Sequence, residues 1–130
     1  MQNASLSARV GWAVFEYDFA LHGGAISTIT VGPKLLPAGA IIMDGVIHVK
    51  TACTSGGSAT VAIHALSSED IVAATAVASL TLNALLDVVP VGTAATMLRC
   101  TAATQLSFVI ATAALTAGVI AVGLRWGLTD

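Results

Sequence analysis

The feature that most constrains this chain is a period-two alternation of apolar and polar residues between Ala40 and Leu66. Successive side chains of a strand point to opposite faces, so this spacing is typical of strands with one buried face. Two such segments flank Gly56-Gly57, and glycine supplies the positive φ that a tight reversal needs. The stretch predicts a β-hairpin, with a β-bulge where Gly45 interrupts the first apolar row.

The same alternation continues along the chain. Between Gly11 and Leu21 bulky apolar residues alternate with Glu16 and Asp18. One face must therefore be covered, because burying each phenylalanine contributes roughly 1.5–3 kcal/mol. About eight short strands, with turn signals at roughly ten-residue spacing, are typical of a sandwich or barrel.

These patterns predict an all-β fold, a single-domain antiparallel β-sandwich over residues 11–130. Residues 1–10 are small and polar and predict a flexible N-terminal arm. A short helix or an irregular crossover is predicted near residues 68–78; in a helix, Glu69 and Asp70 would lie in the first turn and interact favourably with the helix dipole.

The composition is unusually apolar, so a membrane protein has to be considered. Hydrophobic residues make up 56% of the chain, charged residues 9%, and the mean hydropathy is +0.90. The uncharged run from Cys100 to Leu124 is long enough for a bilayer, which needs about 20 apolar residues. It is rich in Ala and Thr, however, and splits into two alternating halves at a predicted turn, Leu115–Gly118. We predict strands here and no membrane span.

The net charge and the N-terminal sequence give no sign of a nucleic-acid-binding protein or of a secreted protein. The formal net charge of −2 gives no basic field for binding nucleic acid through phosphates. The N-terminus lacks a charged start followed by an apolar core, so no secretory signal is predicted.

The cysteines and histidines are the residues that could carry a metal site. Cys53 and Cys100 form either a disulfide or two buried free thiols, and without a secretory signal free thiols are predicted. His22, His48 and His64 form either a metal site or three solvated side chains. His48 and His64 could be cross-strand neighbours in the predicted hairpin, but no His-X-His spacing occurs. The sequence predicts no metal and no cofactor.

Catalytic patterns are missing from the sequence. The carboxylate pair Glu16/Asp18 is explained by a solvent-exposed strand face, and the pair Glu69/Asp70 by a helix cap. No serine lies in a G-X-S-X-G nucleophile elbow, and neither glycine pair resembles a phosphate-binding loop. We predict that the protein is not an enzyme.

The chain has more small apolar residues than one small core can bury. Exposed apolar patches beyond a few hundred square ångströms usually mark partner surfaces. This surplus predicts a structural protein that covers its surface by assembly. Trp12 and Trp126 are the candidate interface residues.

Four segments carry a resemblance to a known family: DGVIHVKTACTSGGSATVAI, DIVAATAVASL, VPVGTAATMLRCTAATQLSFVIATAALTAG and VIAVGLRW. They resemble the capsid decoration (cement) proteins of tailed bacteriophages, which have a jelly-roll-like β-sandwich. The resemblance covers most of the chain from about Ala25 onward. It implies a homotrimer on the exterior of the virion, assembled in the host cytoplasm, that strengthens contacts between major capsid protein subunits.

Two classes of function follow. The first is a virion structural protein that decorates and stabilises a phage capsid as a homo-oligomer, with no nucleic acid and no membrane as partner. The alternative is a tail or fibre module that binds a receptor or carbohydrate through its loops. A membrane-embedded hairpin is a third and weaker hypothesis.

Overall fold

Eight strands and one short helix occupy the part of the chain described by the computed structural model, residues 10–66, 69–88, 90 and 98–129 (backbone only for 33–35). They are, in order, β1 Val10–Asp18, α1 Phe19–His22, β2 Ser27–Leu36, β3 Ile41–Ser55, β4 Thr60–His64, β5 Val72–Ala76, β6 Leu85–Val88, β7 Thr104–Ala111 and β8 Leu115–Gly127. A single 3-10 turn, Val77–Ser79, follows β5. The predicted arm lies outside the described residues except for Val10, which begins β1.

The strands form two antiparallel sheets of four. Sheet I has the order β1-β8-β3-β6, and sheet II has the order β2-β7-β4-β5. Only the β4–β5 connection stays within one sheet, and every other connection crosses to the opposite sheet. This is the topology of a double-sheet jelly roll, so the predicted fold class is confirmed.

The predicted hairpin between Ala40 and Leu66 is wrong, although both of its strands exist. β3 pairs with β8 and β6 in sheet I, whereas β4 pairs with β7 and β5 in sheet II. The glycine-rich loop between them therefore carries the chain from one sheet to the other. Ser55 holds this loop, since its hydroxyl accepts from Gly57 N at 3.1 Å and donates to Ala114 O at 2.7 Å.

A bulge sets which residues of β3 face the core. The pairing of β3 with β8 shifts register between Ile42 and Asp44, just before the Gly45 position that the sequence predicts. The extra residue, Met43, is 40% exposed. Because it shifts the alternation by one residue, Ile42 and Ile47 are both buried although they are an odd number of positions apart.

The helix predicted near residues 68–78 is wrong over the residues described there. Residues 72–76 form β5, and only the 3-10 turn at Val77–Ser79 is helical. The two acidic side chains do accept backbone N–H groups, as they would at a helix start. Asp70 accepts from Ala65 N and Leu66 N at 2.7 and 2.9 Å, and Glu69 accepts from Ala74 N at 2.9 Å. They stabilise the connection between β4 and β5 instead of a helix.

The observed helix follows β1 directly. The Asp18 side chain accepts from Ala20 N at 2.9 Å and caps α1. The chain therefore leaves the strand at Phe19, and Leu21, which the alternation places inward, is 80% exposed.

The core lies between the two sheets. Phe15 and Tyr17 of sheet I and Phe108 of sheet II are almost fully buried, and the rings of Tyr17 and Phe108 meet with centroids 5.7 Å apart. The Tyr17 hydroxyl donates to Gly23 O at 2.7 Å, so burial leaves no polar atom of this ring unpaired.

The long uncharged run forms strands. Within the described ranges, no helix is long and apolar enough to cross a bilayer. Cys100–Leu124 instead contains β7 and most of β8. The predicted turn at Leu115–Gly118 is wrong, because β8 begins at Leu115 and Gly118 lies inside it.

Gly118 allows β8 to approach β3 closely. Its φ is +145°, and a Cβ at this position would lie 2.7 Å from Cys53 Sγ. Both the backbone conformation and the contact require glycine.

We expect Gly118→Ala to lower the free energy of unfolding by about 1–3 kcal/mol, because it forces a strained φ and a clash with a buried thiol. Gly56→Ala is the matched control, since a Cβ there meets nothing within 4 Å. The control should change stability by less than about 0.5 kcal/mol. Urea unfolding of both variants measures the difference, and equal stabilities would contradict this account of Gly118.

Candidate interaction surface

The outward side of sheet I is the candidate interaction surface, and we call it the Trp12 face. The strand register places its side chains in three rows that run across the strands. The Trp12 row contains Trp12, Arg125 and Asp44; the Gly123 row contains Val14, Gly123, Val46 and Asp87; the Glu16 row contains Glu16, Ala121, His48 and Leu85.

Several large apolar side chains of this face are open to solvent. Trp12 is 53% exposed, Val14 49%, and Leu85 70%. Val10 and Val46 are exposed as well. The Trp12 face is therefore apolar at positions where a solvated sheet normally carries polar residues.

Trp12 pairs with Arg125, and its ring extends diagonally over Gly123, where the neighbouring strand has no side chain. A Cβ at Gly123 would come within 2.9 Å of the indole Cε2 of Trp12. The absence of a side chain at Gly123 thus creates the space that the indole ring occupies. The sequence signal for this contact was a glycine on the outward side of a strand, which usually marks a close approach.

Two ion pairs flank the apolar centre. Arg125 donates to both Asp44 carboxylate oxygens, at 2.9 Å from Nε and 2.7 Å from Nη2. On the other side of the centre, Lys50 Nζ lies 2.8 Å from Glu16 Oε2. The hydrogen bond from Arg125 holds the pKa of Asp44 below its usual value.

These ion pairs contribute little to folding, because their side chains are 41–52% exposed and screened by water. Their effect is instead to surround the apolar centre with paired, mutually neutralising charges. An apolar centre with a polar, charge-balanced rim is the usual anatomy of a protein–protein contact.

Trp126, the second candidate interface residue, lies on the opposite side of sheet I. It pairs directly with Gly11, and its ring occupies the space that a Gly11 side chain would need. It is partly buried and packs against the core. The structure therefore does not bring Trp12 and Trp126 together.

The three histidines are also apart. His48 belongs to sheet I, with Nε2 at 3.5 Å from Asn83 Oδ1, and His64 belongs to sheet II, so the two are not cross-strand neighbours. His22 stacks on Tyr17 with ring centroids 5.7 Å apart. His64 is not solvated as the sequence suggests: both of its ring nitrogens are buried without a hydrogen-bond partner. Among the described residues, no three His, Cys, Asp or Glu side chains are grouped to hold a metal ion.

A groove of about 320 Å³ lies beside α1 where the edge strands β1 and β2 meet. Its lining includes Glu16, Asp18, Leu21 and His22. Among the described residues of its lining, the phenyl ring is that of Phe15, which is buried, so these residues offer no open phenyl face on which a sugar could stack.

Both cysteines are free and buried. Burial raises the pKa of Cys53 from 9.0 to about 11, and burial is also the first cause that raises the pKa of Tyr17 from 10.0 to about 12. Neither the Cys53 thiol nor the Tyr17 hydroxyl is therefore activated as a nucleophile at neutral pH.

The chain has structural likeness to three phage capsid structures. A chain from the capsid asymmetric unit of cyanophage Pam1 matches with a TM-score of 0.67 and 18% identity, covering 92% of this chain and 85% of that one. A chain from the capsid of Ralstonia phage GP4 matches at 0.68 and 14%, covering 93% and 85%. A chain from the acid-stable capsid of Helicobacter pylori bacteriophage KHP30 matches at 0.63 and 11%, covering 94% and 90%.

At these identities the likeness establishes a shared fold. No protein-family model matches the chain, and no curated protein matches it significantly.

The seating of Trp12 can be tested by fluorescence. In a Trp126→Phe background, where Trp12 is the only indole, Gly123→Ala should lift the ring off the sheet. We expect a red-shifted emission and faster acrylamide quenching than in Trp126→Phe alone. Identical spectra and quenching would show that Gly123 does not seat the ring.

Stability should fall at alkaline pH. A raised pKa in the folded state means that folding is favoured fully below the unfolded value and progressively less above it. The contribution of Cys53 should therefore be complete below about pH 9 and lost between 9.0 and about 11. We expect the melting temperature to fall over this window and Cys53→Ala to reduce the slope. An unchanged slope in the variant would contradict the assignment to Cys53.

Proposed function

We propose that this chain is a non-enzymatic structural protein of a phage virion, which decorates the outer surface of the capsid by binding major capsid protein as a homo-oligomer. The observation that carries the proposal is the fold shared, over 92–94% of the chain, with chains from three phage capsid structures. The sequence resemblance to decoration proteins points to the same function independently of the coordinates.

The surface of the molecule supports a function based on binding. The Trp12 face presents exposed Trp12, Val14 and Val46 between two ion pairs. Aromatic side chains surrounded by polar residues are the usual energetic centres of protein–protein contacts.

Such a protein acts through binding energy alone. A ligand that binds only one state of its partner stabilises that state by RT ln(1 + [L]/Kd), about 2.7 kcal/mol when its concentration is a hundred times Kd. Copies that bind only the expanded capsid would in this way oppose its disassembly. The family resemblance implies three copies per oligomer.

The alternative is a carbohydrate-binding module of a tail or fibre. Trp12, which lies on the same face as Asp44 and Glu16, is the exposed aromatic ring that such a site would use. Binding of glycans on an array, competed by free sugar and lost in Trp12→Ala, would favour this alternative.

The proposal is tested with heads of the phage that encodes this chain, prepared without the gene for it. Purified protein should co-sediment with expanded heads and raise their melting temperature. Unexpanded proheads are the control, and we expect weaker binding to them. Protein that stays in the supernatant with expanded heads, and leaves their melting temperature unchanged, would overturn the proposal.

A further inference from the structure

We propose that the Trp12 face binds a second copy of the same face, about a two-fold axis that runs across the strands along the Gly123 row. A two-fold contact uses the same patch on both subunits, so the patch must be complementary to itself. The arrangement of the three rows meets this requirement.

The axis brings the apolar row onto its own copy. Val14, Gly123 and Val46 would each lie opposite the same residue of the partner. Gly123 and Ala121 have no side chain or a small one, so little projects from the middle strand β8. The two faces can therefore approach closely, and Trp12 and the valines fill the space between them.

The same rotation places acidic side chains of one copy beside hydrogen-bonding and basic side chains of the other. It places the Trp12 row of one copy over the Glu16 row of the other, because these rows lie at equal distances on either side of the axis. Asp44 then faces His48, with Lys50 next to it on the same strand. Arg125 faces Ala121, and Trp12 faces Glu16, which lies on the strand next to Ala121 and diagonally from Arg125.

The alternative in-plane axis, along β8, fits less well. It would place Arg125 of each copy on Arg125 of the other, with two like charges at the centre of the contact. With the axis across the strands, the like charges that meet are those of Asp87, which lies on the edge strand β6 at the rim. Charges at a rim are solvated and cost little.

The size of the face is adequate for a pair. Three strands that overlap over about 30 Å and the four-residue β6, about 13 Å long, spaced about 4.8 Å apart, cover on the order of 500 Å² per copy. The pair would bury roughly 1,000 Å², the least area expected of a specific protein interface.

This inference goes beyond the proposed function, since it names the partner of one surface. It predicts an even number of copies, where the family resemblance implies three. Its test uses free protein in solution, so either proposal can fail without the other.

A charge exchange tests the register of the pair. In Asp44→Arg, the introduced guanidinium would face His48 and Lys50 of the partner. In His48→Glu, the introduced carboxylate would face Asp44 of the partner. Each variant alone should therefore pair at least about tenfold more weakly than the wild type, which corresponds to 1.4 kcal/mol.

Mixing the two variants should restore pairing. A mixed pair sets the introduced guanidinium of one copy against the introduced carboxylate of the other. It also keeps one native contact between Asp44 and His48. Both contacts of the mixed pair are therefore between groups that attract each other.

Sedimentation equilibrium of the wild type, each variant and the mixture gives the masses. Val46→Glu places a charge next to the axis and should abolish pairing. Ile26→Glu is the matched control, since Ile26 is 58% exposed and lies outside sheet I. Circular dichroism confirms that each variant is folded.

We expect wild-type dimers, weakened single variants, a restored mixture and a control like the wild type. A wild-type monomer at 100 µM protein (about a hundredfold above a micromolar Kd), a trimer, or a mixture that stays as weak as its components would overturn the two-fold pairing. None of these results alters the test with phage heads.

Discussion

The structure depends on β8, the strand held between β1 and β3 in sheet I. Its inward residues Ile120, Val122 and Leu124 are fully buried and form the floor of the core. Its outward residues alternate with them and include the small Ala121 and Gly123. A strand with large residues inside and small residues outside produces a well-packed sandwich and, on the outer side, a shallow channel between the neighbouring strands.

That channel links the fold to the proposed function. The ring of Trp12 from β1 lies in it over Gly123, so an aromatic side chain occupies the centre of the surface. The ion pairs Arg125–Asp44 and Lys50–Glu16 reach between strands on either side of the ring. The face is consequently apolar in its centre and close to neutral around it, which removes the repulsion that would oppose contact with an identical copy.

Much of the fold is predictable from the sequence, because strand alternation is a local property. The inward rows Ala13, Phe15, Tyr17 and Leu106, Phe108, Ile110 are all buried as their spacing predicts. Which strands pair is not local. The segments on either side of Gly56-Gly57 have the pattern of a hairpin, yet β3 and β4 belong to different sheets because each finds a longer or better-placed neighbour elsewhere in the chain.

The candidate surface could be predicted only in part, for a related reason. Trp12 lies outward by its alternation with Glu16 and is exposed in the structure. Trp126 shares the alternation of Val122 and Leu124, and that alternation places it on the core side of the sheet. The acidic residues Glu69 and Asp70 likewise have side chains that could cap a helix. Because β5 pairs with β4, they accept backbone N–H groups of the connection between these strands instead.

The most direct measurement is a cryo-EM reconstruction of a phage particle that contains this chain. The account predicts the chain on the outer surface of the capsid, in pairs whose Trp12 faces cover each other. A particle in which the chain is absent from the capsid, or in which the Trp12 face is open to solvent, would contradict it.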